Sequence, residues 1–177
     1  MARPIQFGVN VNTRVPIIFD DSYDLDQLLD LAVHSESLGY DSVWVGDNFF
    51  SKPRMESITT LSAIAARTNR VSLGTASLIS PLRNTIWLAL AWGTLDQISK
   101  GRTILGLCVG GGSAEAGGPG FTAEFDVARV PYKKRGQLLE KQVEVLRELW
   151  TKGAVERDDE FHTISGIDLK PKAAKEG

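Results

Sequence analysis

Residues 71–112, VSLGTASLISPLRNTIWLALAWGTLDQISKGRTILGLCVGGG, constrain the fold of this chain more than any other stretch. A β-branched run at 71–78 and a second apolar run at 103–109 bracket an apolar segment at 85–100 that is too long to be a strand, so the stretch reads as strand, helix, strand. A helical crossover of this kind joins parallel neighbours. Both strands end in small residues, Gly74-Thr75-Ala76-Ser77 and Gly110-Gly111-Gly112. Small residues let backbone amides come close to a flat or anionic ligand. The expected result is two adjacent strands whose ends face one pocket.

The same unit recurs along the chain. Residues 5–11 alternate and are rich in Val, Ile and Phe, which suits a first strand, and residues 12–21 with Pro16 suit a loop. Asp24 is placed to cap a helix, with Gln27 three residues on; Leu25, Leu28, Leu29, Ala32 and Leu38 form its inward stripe and Gly39 ends it. A second strand at 42–45 ends at Gly46-Asp47-Asn48, and a helix at 57–68 follows. Gly101 stands just past the third helix. Residues 111–130 show little periodicity and read as a long glycine-rich loop. A fourth long helix is expected at 132–150, then a short hairpin around Val155 and residues 161–164. Strand starts near residues 5, 41, 71 and 103 predict a single domain over 1–177 with four parallel strands, each followed by a helix. A dinucleotide fingerprint is missing from the first unit, and the match at 118–123 lacks a preceding strand.

Charge and composition narrow the function. Twenty basic and 22 acidic residues leave a net charge of −2, which provides no footprint for nucleic acid or an acidic membrane surface. No apolar run of membrane-spanning length occurs, so a cytoplasmic protein is expected. Cys108 is the lone cysteine, and His34 and His162 stand in unrelated contexts, so no metal site is expected.

Several segments together resemble the luciferase-like, flavin-dependent monooxygenase and reductase family: GYDSVWVGD at 39–47, RVSLGTA at 70–76, PLRN at 81–84, TLDQISKGR at 94–102 and LRELW at 146–150. Their order and spacing match over about residues 5–172. The resemblance implies a parallel (β/α) barrel of the TIM type that binds FMN or a deazaflavin coenzyme at the carboxyl ends of its strands. This chain ends after the fourth helix, so the resemblance implies the first four βα units, an N-terminal half-barrel.

The resemblance also assigns residues. Gly74, Thr75, Ala76 and Ser77 would lie against the flavin ring, with a cis peptide between Ala76 and Ser77; the alternative is a strand end with small residues for barrel packing. Gly110, Gly111 and Gly112 would let the backbone approach the coenzyme's polar chain. Cys108 matches the place of a reactive thiol in some luciferases, or else is a small buried hydrophobe. Asp47, Asn48 and Glu115 are the candidate catalytic residues. Many members carry a histidine directly after the strand-two aspartate, and here Asn48, an amide that exchanges no protons, takes its place. Arg83 and Arg102 are expected to brace helix and turn and stay outside the site.

The function implied is a flavin- or deazaflavin-dependent oxidoreductase acting on a small organic substrate, the ring supplying the chemistry. The alternatives are a non-catalytic flavin-binding or assembly subunit, or an inactive fragment of a longer barrel. Edge strands and the inward side chains of Phe7, Val9, Val43, Val45 and Leu105 would lack partners in a half-barrel, so a homodimer or pairing with a C-terminal half is expected. Ala63, Ala66, Ala89 and Ala91 suit a family-type dimer contact.

Overall fold

The computed structural model describes residues 5–18, 24–111 and 119–174. In chain order these form β1 (Gly8–Val11), α1 (Val15–Ile18), α2 (Leu25–Ser37), β2 (Ser42–Val45), α3 (Ser57–Arg67), β3 (Ser72–Thr75) and β4 (Leu78–Ile79). A 3₁₀ turn at Ser80–Leu82 leads into α4 (Thr85–Ser99), β5 (Thr103–Ile104), β6 (Leu107–Cys108) and α5 (Pro119–Val127). A second 3₁₀ turn, Tyr132–Lys134, opens α6 (Arg135–Thr151), and β7 (Val155–Asp158) and β8 (Thr163–Ile167) follow. By its contacts the chain divides into two compact units, Met1–Leu78 with Ile98–Leu107, and Ile79–Gln97 with Cys108–Gly177.

In the first unit four strands form a parallel sheet in the order β1-β2-β3-β5. This is the α/β topology of the first four βα units of a TIM-type barrel. Strand side chains alternate between faces. Val11, Val43, Val45 and Leu73 on one face are buried, as are Leu28 and Ala32 of α2 and Leu61 and Ile64 of α3, the helices that pack on these strands. Each of the Val, Leu and Ile side chains contributes about 1.5–3 kcal/mol when fully buried. The other face is open: Asn10 and Ile104 are exposed, and Ser42, Trp44 and Ser72 are half-buried. This corrects the expected phase, because Val43 and Val45 face the helices and do not await an absent half. The run Val43-Trp44-Val45 is apolar on both faces, so its alternation sets a period without saying which face the helices cover.

Local chemistry sets the ends of these elements. The Asp24 carboxylate accepts the Asp26 amide at 2.9 Å at the start of α2, and Gly39, at φ +91°, closes it in the left-handed region. Glu56 caps α3 by accepting the Thr59 amide at 2.7 Å. Two opposite charges hold the entry to β3: the Glu36 carboxylate accepts the amide of Val71 at 2.9 Å, and Arg102 donates to the Val71 carbonyl at 2.8 Å.

The two long strands expected at 71–78 and 103–109 are each interrupted, and the breaks are bonded to each other. Thr75 Oγ1 donates to the Gly106 carbonyl at 2.8 Å and accepts the Gly106 amide at 3.1 Å. The Leu78 amide donates to the same carbonyl at 2.7 Å. The Ala76–Ser77 peptide is cis, as the family resemblance implied.

In the second unit α6 buries Val145, Leu146 and Leu149, and β7 and β8 form the expected antiparallel hairpin. Ile79, Leu82 and Phe125 make a small core, against which Cys108, Val130 and Tyr132 pack. Phe125 and Tyr132 meet edge to face at 5.2 Å. Phe125 comes from α5, so the stretch expected to be an irregular loop contains a helix anchored by one aromatic. Trp150 Nε1 donates to the Ala89 carbonyl at 3.0 Å, and Ala89 is fully buried, which takes it off any free contact face. No helix among the described residues is long and apolar enough to cross a membrane.

Candidate functional site

The carboxyl ends of β2 and β3 lie side by side in the first unit. Val45 pairs with Thr75, and the Ala76 amide donates to the Val45 carbonyl at 2.8 Å. Asp47 and Asn48 therefore leave the sheet beside Ala76 and Ser77. Ala76 is exposed and Ser77 half-buried.

Each of these residues has a definite local setting. Asp47 is 9% exposed and its Oδ1 accepts the Ser57 hydroxyl at 3.0 Å, which ties the end of β2 to the first residue of α3. Asn48 Oδ1 accepts the Ser51 hydroxyl at 2.8 Å and the Lys52 amide at 2.6 Å, so its side chain shapes the loop that follows. The Thr75 hydroxyl is committed to Gly106, leaving the backbone as what Thr75 offers a ligand. A Cβ on Gly106 would fall 2.3 Å from the Thr75 carbonyl oxygen, so this close approach requires glycine.

Gly74 clears space, but Trp44 fills it. A Cβ at Gly74 would lie 2.3 Å from the Trp44 ring, which crosses from the neighbouring strand on the open face. Trp44 Nε1 donates to the Ser42 hydroxyl at 2.8 Å, which fixes the ring's tilt. The space above Gly74 is thus a seat for an indole. Gly46 plays a matching part: a Cβ there would fall 1.9 Å from Arg54 Nη1, so the guanidinium lies directly over the backbone at the end of β2. Neither Trp44 nor Arg54 was legible as a site residue, since their placement depends on strand register and loop path.

The remaining candidates belong to the second unit. Cys108 packs on the Ile79, Leu82 and Phe125 core. Gly110 and Gly111 adopt φ of +63° and +66°, and a Cβ on them would meet Ile79 and the Tyr132 ring respectively. Arg135 donates to the Gly110 carbonyl at 3.2 Å and lies 3.8 Å over the Tyr132 ring, so this glycine pair is held by packing and one cation. Gly112 and Glu115 lie outside the described residues.

Arg102 braces as expected: its guanidinium donates to the carbonyls of Ser99, Val71, Ala65 and Thr68 and to the Thr68 hydroxyl. Arg83 Nη1 reaches the Ile79 carbonyl at 3.4 Å. His34 is exposed in the last turn of α2. His162 is buried in a polar relay that sequence reasoning missed. Its Nδ1 is 3.2 Å from Asp159, its Nε2 is 2.8 Å from the Thr85 hydroxyl, and Gln142 Nε2 reaches the same hydroxyl at 3.2 Å. Thr85, Gln142 and His162 line a cavity of about 340 Å³, and their polar atoms are engaged with one another and with Asp159, Ser80 and the Arg83 carbonyl. Burial would raise the Asp159 carboxyl, yet Arg157 and the amides of Phe161 and His162 hold it far below the usual carboxylate range.

Comparison with known proteins agrees with this architecture. The sequence profile of luciferase-like monooxygenases matches residues 5–177. An F420-dependent glucose-6-phosphate dehydrogenase of Amycolatopsis mediterranei is 33% identical over 153 residues, 81% of this chain and 42% of the relative. The structure of monooxygenase RslO1 from Streptomyces bottropensis superposes with a TM-score of 0.83 at 24% identity, over 97% of this chain and 50% of that one. A type II Baeyer-Villiger monooxygenase of Pseudomonas putida, in complex with FMN, superposes with a TM-score of 0.68 at 16% identity over 92% of this chain and 44% of its own. The chain spans about half the length of the proteins it matches. With the profile covering nearly all of it, the chain belongs to the luciferase-like monooxygenase family.

Proposed function

We propose that this chain supplies the coenzyme-side half of a deazaflavin- or flavin-dependent oxidoreductase acting on a small organic substrate. The observation that carries this reading is the pair of parallel strand ends in the first unit. Asp47 and Asn48 leave β2 next to Ala76 and Ser77 leaving β3, and Ala76 is exposed. A ring edge fits that platform, with Trp44 bounding it on the sheet face and the Asp47 carboxylate, which accepts the Ser57 hydroxyl, at its edge. When bound, the coenzyme supplies hydride transfer or oxygen activation. The chain's own residues orient the ring and exclude water from one side, while Asn48 holds the loop and moves no proton.

F420 is the coenzyme we place first, because the relative at 33% identity is named for it. FMN is the second choice. The open sheet face, with Trp44, Asn10 and Ile104, is the surface that a second set of βα units covers in this reading. A cytoplasmic setting agrees with a sequence that carries a single cysteine, Cys108, and so closes no disulfide within the chain. The test is a fluorescence titration of the purified chain with F420 and with FMN, followed by turnover with the reduced coenzyme. Saturable binding of one of them is the expected result; binding of neither, with the chain folded, refutes the proposal.

A further inference from the structure

Three buried polar atoms near the end of β1 and β2 have no hydrogen-bond partner: Thr13 Oγ1, Arg14 Nε and Arg54 Nε. They are neighbours in the first unit, because the Met55 amide donates to the Thr13 carbonyl at 3.0 Å, bringing residues 13–14 against 54–55. Thr13 is fully buried. Burying a donor without a partner costs about 1–3 kcal/mol, and more for a charged group. Three such atoms lie on two loops joined by that backbone bond, whereas Arg102, Arg70 and Arg67 spend donors on carbonyls or carboxylates.

Burial pushes the Arg54 guanidinium below its ordinary value, the charge of Arg14 pushes it further, and Asp47 only partly restores it. Gly46 is shaped to permit this arrangement, since Arg54 Nη1 occupies the space of a Cβ there.

We infer that Thr13, Arg14 and Arg54 form an oxyanion-binding site at the carboxyl ends of β1 and β2, taking a carboxylate or phosphate group of the substrate. Guanidinium forks and a hydroxyl match that chemistry: an oxyanion accepts several charge-assisted N–H bonds at once. The site lies on the same side of the sheet's strand ends as Asp47, so it assigns an anionic substrate to the coenzyme platform and rests on that reading for its role in catalysis. Its existence as an anion site does not.

The experiment follows the two arginine Nε–H resonances by ¹⁵N-resolved NMR while acetate or inorganic phosphate is added to the full chain. Saturable shifts of both resonances are expected, and the preferred titrant tells whether a carboxylate or a phosphate is held. R54Q weakens the binding by about tenfold or more, since a charge-assisted bidentate contact is lost. R54K retains charge and fold but loses the fork, and also binds more weakly. G46A, which displaces Arg54, does the same. R67Q, which removes only exposed ion pairs to Asp26 and Asp30, leaves the titration unchanged. No saturable shift with either anion, or the affinity of the native chain retained in R54Q and R54K, overturns the site. A chain that binds F420 or FMN but neither anion refutes this inference and spares the proposed function; one that binds an anion through Arg54 but no coenzyme does the reverse.

Discussion

Arg102→Ala should be among the most damaging single changes outside the apolar core. Its Nε donates to the Ser99 carbonyl at 2.7 Å, Nη1 to Thr68 Oγ1 at 3.1 Å and the Val71 carbonyl at 2.8 Å, and Nη2 to the carbonyls of Ala65 and Thr68 at 3.1 and 2.9 Å. Two of these acceptors are among the carbonyls that end α3, where helical partners run out. An average bond contributes about 0.5–1.5 kcal/mol net; allowing water to replace some of them, five lost bonds amount to about 3 kcal/mol. Arg102→Lys keeps the charge with at most three donors and should lose about half as much. Glu36 grips the other end of the Val71 peptide, so the double variant with Glu36→Gln should be non-additive by more than about 0.5 kcal/mol. Urea unfolding of the four proteins, followed by far-UV circular dichroism, measures all of this. A loss below about 1 kcal/mol in Arg102→Ala, or additivity of the pair, would show that Arg102 is a surface cation whose bonds water replaces without cost.

Other outcomes follow from the same bonds. Burial raises the Glu36 carboxyl, but the amides of Val71, Arg70 and Asn69 and the charge of Arg102 outweigh it and leave a net depression. A depressed carboxylate stabilises fully above its unfolded value of about 4.3 and loses that stabilisation as pH falls through its lower folded value, so an acid titration of stability should be shallower for Glu36→Gln than for the native chain. Gly106→Ala should cost about 1–3 kcal/mol and weaken coenzyme binding, because a Cβ would strike the Thr75 carbonyl and force β3 and β5 apart at the platform; thermal melts with a coenzyme titration check it. Thr85→Val should cost about 1–3 kcal/mol by stranding His162 Nε2, with Thr85→Ser restoring most of it in chemical denaturation.

The alternation of strand and helix, the positions of α2, α3 and α4 and the parallel order were all legible, because each rests on local periodicity and end residues such as Asp24, Gly39 and Gly101. What escaped depends on distance in sequence. Gly74 reads as a cleared space, but only the register of β2 against β3 reveals that Trp44 occupies it. The bracing role expected of Arg102 is what the structure shows, yet its counterpart Glu36 carries no signal, being one of three acids on an amphipathic helix. Arg14 and Arg54 sit in loops without period, and nothing short of the fold brings them together. The helix α5 was missed because it follows a glycine-rich run and its buried Phe125 has no repeating stripe beside it.

The coenzyme platform is tested by backbone amide chemical-shift mapping of the folded chain with F420 or FMN added. Shifts should concentrate at the ends of β2 and β3, residues 46–48 and 75–77, together with the Trp44 indole, and spare the hairpin of β7 and β8. Saturating coenzyme that leaves residues 75–77 unmoved, or that shifts the residues around His162 and Thr85 instead, would contradict it.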